Sequence, residues 1–323
     1  MRWKTLKARL LAEGSARLEG EPAEEYISAS TAGPGAGGPG SVFFSRKGKR
    51  VRLALDPKSS IRIRHMGMGE AVLFSGGREI EGRIEPIALH CPRQAYITVS
   101  SGCIFSCRYC EVPNHAPRRK SIEEIVAMVE SVAGRIDAIS LTSGVMGSVE
   151  EEEEYVLEVV RRLSDFNLPI GVSIYPTEKS AERLHALGVV EVKFNVETAT
   201  DGLFTRMCPG LSRDAIWRAL DQSVSLFGRN HVFSNLIIGL GETDEEVSEC
   251  IHALTRRGVI PVIRPLTLSA GCQAFSRPTK ERILAVYEIH SKALKEAGLD
   301  PAVAVTMCTA CTGCDLVPGR DDS

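Results

Sequence analysis

The chain is 323 residues long, 43% apolar and 25% charged, which fits one large domain, or an α/β domain with a small appendage, able to bury a core. Thirty-nine Lys and Arg stand against 41 Asp and Glu, and the net charge of −2 excludes a broad basic nucleic-acid surface. No apolar run reaches the roughly 18 residues a membrane helix needs, and Met1-Arg2-Trp3-Lys4 is not followed by a secretory signal's apolar segment.

Residues 4–13 predict a short helix. Ala32-Gly33-Pro34-Gly35-Ala36-Gly37-Gly38-Pro39-Gly40 can hold neither a helix nor a strand. It is either a flexible loop or, because glycine bares its N–H groups, a close backbone approach to a ligand or partner. Short alternating segments follow at Ser41–Phe44, Val51–Leu55, Ile61–Arg64, Ala71–Phe74 and Glu79–Ile84, with Lys47-Gly48 and Gly76-Gly77 as turns. Residues 1–90 are expected to form a small β-rich N-terminal region.

From residue 94 the rhythm becomes strand, loop, helix. Strands are predicted at Ala95–Ser100, Ala138–Thr142, Ile170–Tyr175, Val190–Val196, Val232–Ile238 and Val259–Ile263, apolar enough to be buried on both faces. Helical periodicity covers 121–134, 149–166, 178–187, 212–227, 243–257 and 279–297. Ser121 stands three residues before Glu124, and Thr243 three before Glu246, as in capping boxes. Six βα units predict an α/β fold, with an open sheet or a partial (β/α)6 TIM-like barrel over 91–300 and a cysteine-rich C-terminal tail over 301–323. The glutamate run Glu150–Glu154 reads as a solvated helix start.

Ten cysteines in such a chain suggest metal ligands or reactive groups rather than disulfides. Cys91, Cys208, Cys250 and Cys272 stand alone; the others form two triplets. Cys103-Ile-Phe-Ser-Cys107-Arg-Tyr-Cys110 follows the first strand of the series, on the face where βα folds carry active sites. Three thiolates crowded into one loop repel one another without a metal, and sulfur ligands mean zinc or iron–sulfur. Structural zinc closes with four ligands. A 4Fe–4S cube on three cysteines leaves one iron open.

This C-x3-C-x2-C loop, with Tyr109 before its last cysteine, resembles that of the radical S-adenosylmethionine (SAM) superfamily. The resemblance implies a 4Fe–4S cluster on Cys103, Cys107 and Cys110 as the catalytic centre. Its open iron would chelate SAM, and its electron would release a hydrogen-abstracting 5′-deoxyadenosyl radical. Cofactor contacts are implied for Tyr109 near the adenine, and for Thr142-Ser143-Gly144, where the family often has Gly-Gly-Glu. Without that glutamate, backbone carbonyls or the two hydroxyls would receive the methionyl amine. Asn195 and Glu197 would serve the ribose and methionine ends, and Ile237 and Gly239 the adenine. Arg206 would face the cofactor carboxylate, although as a residue it reads equally well as a surface arginine.

Phe194-Asn195-Val196-Glu197-Thr198, Leu141-Thr142-Ser143 and Gly239-Leu-Gly241-Glu242-Thr243 resemble lipoyl synthase most, then biotin synthase. The bacterial-type N-terminal C-x4-C-x5-C and its serine ligand are absent. The tail instead carries Cys308-Thr-Ala-Cys311-Thr-Gly-Cys314, a ferredoxin-like spacing. That implies a second 4Fe–4S cluster on Cys308, Cys311 and Cys314 with a fourth ligand unnamed; a zinc site closed by Cys91 or another lone cysteine is the alternative. With the Gly-Pro run, the pattern looks like the archaeal-type paired lipoyl synthases. It implies sulfur insertion into protein-bound octanoyl-lysine, the second cluster giving the sulfur. An octanoylated carrier protein or peptide, a partner radical SAM enzyme, a ferredoxin or flavodoxin as electron donor and a cytoplasmic setting go with it. Another biotin synthase-like radical reaction, or a non-catalytic iron–sulfur or zinc protein, are the other readings. Arg264 would point to the barrel mouth or pair structurally. His90-Cys91-Pro92 reads first as a domain junction, Cys208 and Cys272 as buried apolar groups, and His115 as a surface histidine.

Overall fold

The computed structural model describes residues 2–322. Helix α1 (Trp3–Glu13) buries Leu6, Leu10 and Leu11 and stops at Gly14, whose φ of 74° only glycine adopts without strain. Then come β1 (Ser15–Gly20), β2 (Ser41–Arg46), β3 (Lys49–Leu55), β4 (Arg62–Gly67), β5 (Glu70–Ser75) and β6 (Arg78–Ile84). They close into a barrel in the order β1-β3-β2-β6-β5-β4, β1 pairing in parallel with both β3 and β4. Closure removes the exposed edges that short strands would otherwise present.

A short edge strand, β7 (His90–Cys91), opens the second sheet antiparallel to β8 (Gln94–Thr98). The chain then alternates through α2 (Ile122–Glu130), β9 (Ala138–Thr142), α3 (Val149–Leu163), β10 (Ile170–Ser173), α4 (Ser180–Ala186) and β11 (Glu191–Lys193). It continues through α5 (Asp201–Met207), α6 (Arg213–Phe227), β12 (Val232–Ile238), α7 (Asp244–Arg256), β13 (Ile260–Pro265) and α8 (Lys280–Ala297), and ends at α9 (Met307–Cys311). Strands β8 to β13 are parallel and lie side by side in chain order. The result is a curled half-barrel with helices between successive strands.

These strands are not apolar on both faces, as their composition had suggested. Alternate residues divide: Leu141, Val172, Val192 and Leu236 are buried on one side. Tyr96, Thr98, Thr142, Ser173, Lys193, Asn195, Asn235 and Arg264 line a cavity on the other. Period-two alternation puts the helices outside and a polar surface inside.

The tail enters that interior from the N-terminal ends of the strands. Glu191, fully buried, accepts from Val305 N (2.9 Å), Thr306 N (2.8 Å) and Thr306 Oγ1 (2.5 Å). Met307 N donates to Ser140 Oγ (2.9 Å), and Gln94 Nε2 to Met307 O (3.1 Å). From outside, α1 clasps the same tail: Lys7 Nζ reaches Asp321 Oδ2 (2.8 Å) and Thr312 O (2.5 Å), and Trp3 Nε1 reaches Asp321 Oδ1 (2.8 Å).

Three expectations need correction. β1 and α9 were unforeseen. The Gly-Pro run makes one 3-10 turn at Gly33–Gly35 and is tied down: Glu111 N donates to Gly33 O (3.2 Å), and His115 Nε2 lies 3.0 Å from Ala36 O. The glutamate run opens a helix as expected, behind a Ser148–Glu151 capping box, but Glu152 and Glu153 within it are buried rather than solvated.

Candidate active site

The loop after β8 carries Cys103, Cys107 and Cys110, each half-buried. Its backbone is held by neighbours: Ile104 N donates to Val145 O (2.7 Å), Arg108 N to Met207 O (2.9 Å) and Ser269 Oγ to Arg108 O (3.0 Å). A Cβ on Gly144 would lie 2.2 Å from Gly102 O and 3.3 Å from the Cys103 Cβ, so the glycine there lets the loop after β9 close against the cysteine loop. Burial pushes the Cys110 thiol up to about 12. The Cys208 thiol donates to Cys107 and pulls it down.

All six triplet cysteines line one cavity of about 660 Å³. So do Cys91, the Gly-Pro run and, of the expected cofactor contacts, Tyr109, Thr142, Ser143, Gly144, Asn195, Glu197 and Ile237. Arg206 and Gly239 are not brought there. Arg206 is exposed, lies over Phe275 at 5.9 Å and reaches Leu240 O at 3.5 Å. Gly239 sits past the end of β12, where its N–H donates to Glu242 Oε1 (2.6 Å) at a φ of 111°.

Ser143 is in place, but its hydroxyl is engaged. It donates to Glu152 Oε1 (2.6 Å) and accepts from Ser100 N (3.0 Å). Glu152 also takes Arg119 Nη2 at 2.6 Å. A carboxylate from the glutamate run therefore stands behind the loop where the family's usual glutamate is missing. Glu197 lies in left-handed backbone (φ 59°), a costly conformation for glutamate that marks a constrained position. Burial pushes its carboxyl up to about 7, against the pull of the Lys193 ammonium.

Across the cavity, Lys193 Nζ lies 3.6 Å from Cys308 Sγ, and Tyr96 Oη 3.9 Å from the same sulfur. Cys311 is buried against Phe43 and Cys91, and the Cys91 thiol donates to it, pulling Cys311 down to about 7. Arg264 faces the cavity, and its buried Nη1 has no partner among the described residues. Lys193 and Asn235 were not singled out in the sequence, where only the polar alternation within the strands could have flagged them, and Glu152 was read there as solvated.

Among the described residues, no three His, Cys, Asp or Glu side chains are gathered tightly enough to grip one metal ion. The donor set still fits a cluster. A cube seats each thiolate on its own iron, so its ligands stand farther apart than those around a single ion.

Comparison with known proteins agrees with this geometry. The radical SAM superfamily model matches residues 97–254. The chain is 25% identical over 202 residues to a lipoyl synthase of Leptospira biflexa, covering 57% of this chain and 63% of that one. It is 24% identical over 260 residues to one of Corynebacterium urealyticum, covering 70% of each. The chain thus spans less than two thirds of the Leptospira relative's length. Two solved structures share the fold. The FeFe-hydrogenase maturase HydG from Carboxydothermus hydrogenoformans has a TM-score of 0.52 at 19% identity, covering 62% of this chain and 52% of that one. A methylornithine synthase has a TM-score of 0.54 at 17% identity, covering 62% of each. With its cysteine loop inside the matched segment and a curled parallel sheet beneath it, residues 97–254 form a radical SAM domain, and the chain is similar to the lipoyl synthases.

Proposed function

We propose that this chain inserts sulfur into an octanoyl chain carried on a protein lysine, with one 4Fe–4S cluster at each cysteine triplet. The observation that supports this is that both triplets line the same cavity, one from each end of the strands. Inserting sulfur at an unactivated C–H bond needs a carbon radical and a sulfur donor within bonding distance, and a shared cavity meets that need.

When bound, the first cluster with SAM supplies the electron and the hydrogen-abstracting radical. The chain's own residues do the rest. Cys103, Cys107 and Cys110 hold the first cluster. Tyr109, Asn195, Glu197 and Ile237 offer one wall to the cofactor, and Gly144 gives it backbone groups unobstructed by a side chain. Glu152 holds the Ser143 hydroxyl in place and balances Arg119. Cys308, Cys311 and Cys314 hold the second cluster, with Lys193 and Arg264 offsetting thiolate charge. Phe105, Leu211 and Ile216 give an alkyl chain an apolar surface. An octanoylated carrier, a low-potential electron donor such as ferredoxin or flavodoxin, and a partner radical SAM enzyme for one of two insertions complete the system, in the cytoplasm. No helix among the described residues is long and apolar enough to cross a membrane.

The test is mass spectrometry of an octanoyl-lysyl peptide after anaerobic incubation with reconstituted protein, SAM and a strong reductant. The expected result is a product carrying one added sulfur, together with 5′-deoxyadenosine. 5′-Deoxyadenosine with an unchanged peptide, even when the related partner enzyme is added, would move the chemistry to another substrate.

A further inference from the structure

The tail brings three thiols to the cavity, and a fourth reaches it from a different element. We propose that Cys91 is the fourth thiolate ligand of a 4Fe–4S cluster held by Cys308, Cys311 and Cys314, an assignment that rests on the second-cluster reading above.

Cys91 is 1% exposed, lines the cavity beside the tail triplet and packs with Cys311 and Phe43. The backbone is built to hold it there. His90 (φ 67°) and Arg93 (φ 63°) flank Cys91-Pro92, both non-glycine residues in left-handed conformation. Each is a strained conformation that persists only where the surroundings enforce it. The enforcing contacts are the pairing of β7 with β8 and a bond from Ala88 N to Cys91 O (3.2 Å).

The first triplet supplies a control within the same molecule. Cys208 touches Cys107 much as Cys91 touches Cys311, and Tyr109 Oη lies 3.6 Å from its sulfur. Cys208, however, does not line the cavity, whereas Cys91 does. One triplet is left with an open position on the cavity side, and the other is closed by a fourth sulfur. Asp315 is the competing ligand, since it is 2% exposed with Oδ1 unpartnered among the described residues. It does not line the cavity, and iron–sulfur iron prefers thiolate to carboxylate.

Charge argues the same way. Four thiolates on a cluster leave net negative charge, and each thiol gives up its proton on binding. Lys193, 4% exposed, already lies 3.6 Å from Cys308 Sγ, and the buried Arg264 Nη1 lacks any partner among the described residues. Cations placed without carboxylate partners suit a bound anionic group.

The experiment isolates the second site by replacing Cys103, Cys107 and Cys110 with Ala, followed by anaerobic reconstitution with iron and sulfide. Iron content, Mössbauer spectra and EPR after reduction are then read with and without Cys91→Ala. The triple variant is expected to bind ~4 Fe per chain, and Cys91→Ala to lower this at least twofold. Cys91→Ser, nearly the same shape, is expected to retain a cluster with altered EPR g-values, which separates ligation from a folding defect. Full iron content and unchanged spectra in both Cys91 variants overturn the assignment and leave the second cluster standing. No iron in the triple variant itself, or zinc in its place, overturns the second-cluster reading and the assignment with it.

Discussion

Single residues decide how this site is held. Glu152 is 3% exposed in a run of glutamates and takes both the Ser143 hydroxyl and Arg119 at 2.6 Å. Glu152→Ala strips these partners from a buried position and is expected to lower stability by about 2–3 kcal/mol in urea unfolding, with a higher KM for SAM. His290 offers a pH test away from the cavity. Its ring is 3% exposed, neither nitrogen has a partner among the described residues, and burial pushes it down to about 3. Between that value and the ordinary 6.5 the unfolded chain binds the extra proton, so stability is full above about pH 6.5 and falls as pH falls toward 3. His290→Leu is expected to remove roughly 2–3 kcal/mol of the stability difference between pH 7.5 and 4.5; an unchanged difference would count against a neutral buried ring. The triplets were legible because their chemistry is local: six cysteines at fixed spacings declare themselves. Lys193, Asn235 and Glu152 were not, because their partners come from other elements and nothing local separates them from ordinary strand or helix residues. Arg206 shows the reverse, a type suited to the task on a helix that turns it to solvent.

At the level of elements, periodicity carried most of the fold. β9 and β12 run from the first to the last predicted residue, since short β-branched runs between capped helices leave little choice. β1 escaped because Ser-Ala-Arg-Leu-Glu-Gly has no strand signature. It is a strand only because β3 and β4 flank it, tertiary pairing overriding propensity. α9 escaped because five residues show no period. The fit between β10 and the tail gives a sharper test. A Cβ on Gly171 would lie 2.1 Å from Thr306 Oγ1 and 2.7 Å from Thr306 Cβ. Gly171→Val is expected to push the tail out of the half-barrel. On the proposal of two clusters, reconstituted iron would fall from ~8 to ~4 per chain while cleavage of SAM to 5′-deoxyadenosine persists. Unchanged iron content would mean that the tail site does not depend on this seating.

Across the whole molecule, helix α1 and the tail are fastened through one buried knot. Lys7 is fully buried and Asp321 is 2% exposed; Trp3 and the Val317 amide hold the same carboxylate. Removing one charge from such a pair strands the other in a low-dielectric interior. Lys7→Met is expected to cost about 3 kcal/mol in urea unfolding and to lower iron retention at the tail site before the first site is affected. None of this showed in the sequence, where Lys7 is one lysine in an ordinary helix and its partner is more than three hundred positions away.

The knot also imposes a timetable. Trp3 and Asp321 are separated by 318 positions, so their bond cannot form until nearly all of this stretch has left the ribosome. At ~5–20 residues per second, Cys308 emerges roughly 10–40 s after Cys110. During that interval the first cysteine loop exists without its counterpart across the cavity. Iron delivered to the nascent chain meets one triplet only, so the two triplets are filled in order of synthesis or together after release.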